Sequence, residues 1–157
     1  MSATGRATRI AVVGASTLIG EAVIDELRAR KLPFTELHAL DDERHSGAQL
    51  ADEDSKLAVG DVAGFDFARV NLAFFCGRAA LSERYAAAAA AHAWVIDGSA
   101  AFRMRADVPL IAADVNPAAL DGMGNHGLIA LPGSASVALA TALKPLHALA
   151  GLLPDTA

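Results

Sequence analysis

The sequence predicts an α/β fold, a single domain built on a doubly wound, Rossmann-like parallel sheet, and three observations predict it. Short apolar runs rich in β-branched residues recur along the chain, the first at residues 9–13. Helical patterns lie between several of them. A loop bounded by Gly14 and Gly20 ends the first run and opens the first helical pattern. Strand and helix alternating at this spacing imply right-handed crossovers, with helices on the two faces of one sheet.

The elements follow in order. Residues 9–13 read as a buried parallel strand. In the next segment Ile19, Ala22, Val23, Leu27 and, less regularly, Ile24 recur at helical spacing, while Glu21, Asp25, Glu26, Arg28 and Arg30 are left for solvent. Pro33 stops that helix. Residues 37–40 are a second short strand, and the polar run 41–47 is a loop. No single pattern dominates residues 49–60. Further strands are expected at residues 71–76, 94–96, 110–112 and 128–131. Helices are expected at residues 81–93, briefly at 117–120, and at 134–149, where Pro145 should kink or interrupt the last one. The six alanines of residues 86–91 read as a helix interior.

Composition bounds the function. A chain of 157 residues is about one domain long and can bury one sizeable core without disulfides. We expect a flexible arm at residues 1–8 and one domain over residues 9–150. Hydrophobic residues make up 54% and charged residues 20%, which fits a globular chain rather than a disordered one. The net charge of -5 argues against a nucleic-acid partner. The lone Cys76 excludes an internal disulfide and a cysteine-based zinc site, and it fits a reducing cytoplasm. No signal peptide and no bilayer-spanning run is expected, and the scattered histidines lack metal-ligand spacing, so no metal is expected either.

In a doubly wound sheet, ligands bind beyond the carboxyl ends of the strands. Residues 14–20, 41–44, 76–78, 97–103 and 131–136 each follow an expected strand, so these loops should converge on one rim. Gly14, Ser16, Thr17, Leu18, Ile19 and Gly20 form the candidate cofactor loop, where backbone N–H groups and a helix dipole can hold a pyrophosphate. Gly14 permits the tight turn and Gly20 lets the helix approach the sheet. Thr17 occupies the place of the middle glycine in related loops and narrows the approach to the phosphates.

About 20 residues past Gly20, Asp41 and Asp42 end the second strand, where a carboxylate can accept ribose hydroxyls. A 2'-phosphate placed roughly 4 Å from such a charge meets repulsion on the order of 4 kcal/mol before screening. Arg44 acts in the opposite sense, since a guanidinium can take a 2'-phosphate or stack on adenine. The expected cofactor is NAD or NADP, with NAD favoured. The alternative is a solvated acidic loop without a ligand. Cys76 ends an apolar strand and reads as a wall of the cofactor crevice rather than a reactive thiol. Arg103 could hold a phosphate or carboxylate bidentately, or it could form a surface ion pair with Asp107.

Several motifs together resemble the aspartate-semialdehyde dehydrogenase family. They are the 14–20 loop, Glu43-Arg44 with Gly47, Asp97 with Ala101-Phe102-Arg103-Met104, Val108-Pro109-Leu110, Val115-Asn116-Pro117 and Ala142-Leu143-Lys144-Pro145-Leu146-His147. The resemblance implies the family's N-terminal NAD(P)-binding domain. Residues 151–157 would open a linker to a C-terminal domain that supplies a histidine base, a substrate-binding arginine and the homodimer contact. Its loss should leave an exposed apolar patch.

Where the family reads Asn-Pro-Asn-Cys-Ser-Thr, this chain reads Leu131-Pro132-Gly133-Ser134-Ala135-Ser136. Ser134 therefore stands at the nucleophile position, as in the Usg-like branch that lacks the cysteine, while Arg103 matches the phosphate-binding arginine. A serine supplies almost no alkoxide without an adjacent base. His126 lies at the amino end of the strand leading to Ser134, and His147 is more than three helical turns beyond it. Ser134 or Ser136 is expected instead to cap the following helix, worth about 1 kcal/mol. Three functions stay open: a dinucleotide-binding domain without dehydrogenase activity, an aldehyde oxidoreductase in the full-length protein, and a non-catalytic interaction module.

Overall fold

The computed structural model describes residues 8–50, 56–121, 123–124 and 126–151. The arm expected at residues 1–8 and the linker expected at 151–157 lie almost wholly outside them. Strands β1 (Thr8–Val13), β2 (Phe34–Asp41), β3 (Gln49–Leu50), β4 (Leu57–Asp61), β5 (Leu72–Phe75), β6 (Trp94–Asp97) and β7 (Gly127–Ala130) form one sheet in the order β3-β4-β2-β1-β5-β6-β7. All neighbours pair in parallel except β3 with β4. The order runs one way from β1 to β2 and the other way from β1 to β5. That reversal is the point where an open α/β sheet offers a crevice.

Alternation along β1 divides the core. Ile10 and Val12 face α1 (Leu18–Ala29), packing with Ile24 and Leu27. Ala11 and Val13 face the opposite layer, with α2 (Ala79–Ala90), Val62, Phe67 and Phe75. Within the alanine run only Ala86 and Ala89 are fully buried, three residues apart on one face, so small side chains bring α2 close to the sheet.

The structure departs from the sequence reading in identifiable places. The stretch 49–60 contains β3 and β4, because Gly47, Ala48 and Val59 exchange backbone hydrogen bonds that no periodicity announces. Around Leu110 there is only an isolated bridge to Ala130, not a strand. The Asn116 side chain accepts from Ala112 N–H and donates to the Leu110 carbonyl at 2.9 Å each, withdrawing both groups from a longer ladder. Helix α3 (Ser134–Ala150) runs unbroken through Pro145. The carbonyl that loses its partner belongs to the exposed Thr141, where water can replace it.

Ile19, expected on the core stripe, is exposed, as is Leu18. With Val23, Leu32 and Phe74 they line an apolar groove of about 560 Å³. Helix α3 buries no residue at all, and Leu139, Ala140 and Leu143 line a second groove of about 480 Å³.

Gly20 shows how tightly the first loop is built. A Cβ there would lie 2.2 Å from the Gly14 carbonyl oxygen and 2.8 Å from the Ala15 Cα. Gly20→Ala is therefore expected to cost about 3 kcal/mol. Urea unfolding checks this, and a loss within experimental error would show that helix and loop can separate without strain.

Candidate functional site

The expected rim loops all leave the carboxyl ends of parallel strands, and the backbone ties them together. Gly14 N–H and Ala15 N–H donate to the Leu40 carbonyl at 2.8 and 3.1 Å. Cys76 N–H donates to Val13, Gly98 N–H to Phe75, and Leu131 N–H to Asp97. Gly14 has φ +79, and a Cβ on it would stand 2.4 Å from Gly77 N, so the loops after β1 and β5 touch backbone to backbone.

Thr17 is the N-cap of α1. Its hydroxyl accepts from Gly20 N–H at 3.0 Å and donates toward the carbonyls of Gly14 at 2.8 Å and Cys76 at 3.2 Å. Its oxygen is thus engaged within the protein at the position expected to crowd the phosphates. The Leu18 and Ile19 N–H groups, at the first turn of α1, have no hydrogen-bond partner among the described residues. Ser16 Oγ is a buried polar atom without a hydrogen-bond partner among the described residues. An orphaned hydroxyl beside free amides at a helix N-terminus suits a bound anionic oxygen.

The two aspartates have different roles. Asp41 is buried, and its carboxylate accepts from Ser16 N–H at 3.1 Å and Asp42 N–H at 2.8 Å, fixing the glycine loop against β2. Asp42 is more exposed and pairs with Arg78 and with His45 Nδ1 at 2.8 Å. Partial desolvation pushes its pKa up, but the His45 hydrogen bond, the Arg78 and His45 charges and the Arg44 N–H outweigh it and hold the pKa below the ordinary 3.8. Asp41, Asp42 and His45 lie near enough to share an ion. The hydrogen bonds just described account for all three side chains without one. Arg44 lines a cleft of about 290 Å³ beside Asp42.

At the other end of the rim, fully buried Asp97 accepts from Ser82 Oγ at 2.7 Å, Ser99 Oγ at 2.9 Å and Ser99 N–H at 3.2 Å. This network holds the segment that carries Arg103. Arg103 donates through Nε to the Leu131 carbonyl at 2.9 Å and through a terminal nitrogen to Gly98 at 2.8 Å, which sets its guanidinium beside Gly133. It is Arg105, not Arg103, that pairs with Asp107, by a two-pronged contact at 2.9 and 2.7 Å.

Gly133 is the N-cap of α3, with no side-chain cap bond, so the expected serine cap is not formed. Ser134 and Ser136 lie inside the first turn, too late to reach its leading amides. Ser134 is exposed, and His126, at the foot of β7, bonds the Ala90 carbonyl instead. Cys76 is half-buried, and burial together with the charge of Asp97 pushes its pKa from 9.0 up to about 12.

The sequence reading placed three further participants on the rim without giving them a role. Gly77 is detectable only once its contact with Gly14 is known. Arg78 was placed on the rim but given no role, because its partner lies 36 positions away. Asp97, followed at two positions by Ser99, carries a local signal for a side-chain-to-backbone turn that could have marked it.

Residues 9–123 match the family model described as the semialdehyde dehydrogenase NAD-binding domain. The chain belongs to this family. Among relatives of this semialdehyde dehydrogenase NAD-binding domain, the aspartate-semialdehyde dehydrogenase of Legionella pneumophila is 33% identical over 94% of the chain and 43% of its own length. A USG-1 protein homolog of Azotobacter vinelandii is 36% identical over 89% of the chain and 42% of its own length. The solved structure of aspartate semialdehyde dehydrogenase II from Vibrio cholerae, complexed with ASA, superposes with a TM-score of 0.84 at 33% identity, covering 91% of this chain and 47% of that one. The chain thus spans less than half the length of the relatives it matches. Among the described residues no helix is long and apolar enough to cross a membrane.

Two predictions follow from the geometry of Asp97 and Cys76. Asp97→Ala leaves three buried donors unpaired and is expected to cost about 3 kcal/mol or more in urea unfolding, whereas a near-neutral result would mean the segment is held otherwise. For Cys76 the folded pKa lies above the ordinary one, so the unfolded chain releases its proton first as pH rises. The thiol's contribution is fully present below pH 9.0 and is lost toward about pH 12, by about 1.4 kcal/mol per pH unit. Comparing wild type with Cys76→Ala between pH 8 and 10.5 isolates the effect, and parallel stability curves would contradict the buried, neutral thiol.

Proposed function

We propose that this chain binds a nicotinamide dinucleotide along its rim and does not itself carry out dehydrogenase chemistry. The observation that carries the binding reading is the orphaned Ser16 hydroxyl beside the free Leu18 and Ile19 amides, at the crevice where the strand order reverses. Gly14, Ser16, Thr17, Leu18, Ile19 and Gly20 would cradle the pyrophosphate. Asp41 acts indirectly by fixing the Ser16 amide, and Asp42 is the acceptor open to a ribose hydroxyl. Arg44 would lie along the adenine, with Cys76 walling the crevice. NAD is preferred to NADP because a 2'-phosphate would approach the Asp42 carboxylate. A bound nicotinamide would supply hydride acceptance, and the residues described position it.

Arg103, held beside the start of α3, would receive a phosphate or carboxylate. Ser134 occupies the place where the family carries its reactive cysteine. It has no hydrogen-bonded imidazole among the described residues, and Cys76 stays protonated at neutral pH, so no activated nucleophile is at hand. We read residues 9–150 as a dinucleotide-binding unit of a cytoplasmic, homodimeric protein with a further domain. The apolar grooves along α1 and α3 favour a second reading, an interaction module.

Calorimetry with NAD and NADP separates the two. Binding heat with NAD, and weaker binding of NADP, supports the dinucleotide reading. No heat and no thermal shift with either nucleotide would favour the module. Incubating the chain with aspartate semialdehyde, phosphate and either nucleotide is expected to yield no reduced cofactor, and measurable turnover would overturn the claim of inactivity.

A further inference from the structure

Arg78 precedes α2 and comes from the loop after β5, while Asp42 follows β2; β1 lies between these strands in the sheet. Their ion pair therefore reaches across the sheet position from which the glycine loop springs. Beside it lies a cleft of about 290 Å³ where Ala63, Leu81 and Tyr85 form an apolar wall and the charged Asp42, Glu43, Arg44, Asp61 and Arg84 form the rest. A base seated in that cleft would present its ribose to Asp42.

We propose that Arg78 determines cofactor specificity at the adenosine end, by pairing with Asp42 and offsetting the carboxylate that would otherwise repel a 2'-phosphate. The inference rests on the dinucleotide reading above. With NAD, a ribose hydroxyl donates to Asp42 while Arg78 stays in place. With NADP, the 2'-phosphate takes the Arg78 guanidinium, whose side chain is 60% exposed, and His45 remains on Asp42. Arg78 thus lets one site accept both cofactors, with Asp42 keeping the balance toward NAD.

The test is titration calorimetry of the chain with NAD and with NADP, in wild type, Arg78→Gln and Asp42→Asn. Arg78→Gln is expected to weaken NADP about tenfold while NAD stays within about threefold. Asp42→Asn, which frees the guanidinium, is expected to shift the ratio about tenfold toward NADP. Asp42→Asn alone also removes the repulsion, so Arg78 is decided by Arg78→Gln or, should that variant fail to fold, by Arg78→Lys, which loses the planar fork and is likewise expected to weaken NADP while sparing NAD. If wild type binds and the ratio does not move, or moves the other way, the role of Arg78 is overturned and the dinucleotide reading stands. If wild type binds neither nucleotide, that reading falls and the inference with it.

Discussion

The site depends on backbone meeting backbone at the ends of β1 and β5. Gly14 and Gly77 are close enough that a single methyl on Gly14 would fall 2.4 Å from the neighbouring nitrogen. On its other side the same glycine carbonyl is crowded by Gly20 at the start of α1. These approaches bring the helix N-terminus down onto the point where the strand order reverses. Leu40 accepts two loop amides there, and the buried Asp41 takes a third. Free amides and a positive helix end are thereby concentrated where an anion can reach them.

Polar groups elsewhere on the rim follow the same logic of positioning by burial. Asp97 spends its hydrogen-bonding capacity on Ser82 and Ser99, and the segment it fixes delivers Arg103 to the carbonyls of Gly98 and Leu131. The guanidinium is thus oriented before any ligand arrives. Ser134, by contrast, is exposed on a helix whose side chains nowhere enter the core. Binding groups ordered in this way suit a site that holds an anionic ligand.

Much of this was legible in the sequence because the signals are local. The run ending at Gly14, the stripe containing Ile24 and Leu27, and the loops placed after strands all depend on near neighbours. What escaped depends on distant ones. The two-residue edge strand β3 is too short to show a period, β4 beside it buries only Val59, and the strand expected near Leu110 yields to the side chain of Asn116. Ile19 fits the helical stripe, yet it stays exposed on the rim of the groove it shares with Phe74. The serine cap fails because the N-cap position falls on Gly133, which leaves Ser134 as the first helical residue. Arg78 had no visible purpose until folding brought it to Asp42.

The most direct test of the central claim is an amide chemical-shift map of the chain titrated with NAD. Shifts confined to residues 14–20, 42–44, 76–78 and 98–103 would place the nucleotide across the joined loops, with the Ser16, Leu18 and Ile19 amides moving most. A saturable set of shifts centred instead on α3 or on the outer groove of α1 would contradict the account, as would no shift at all.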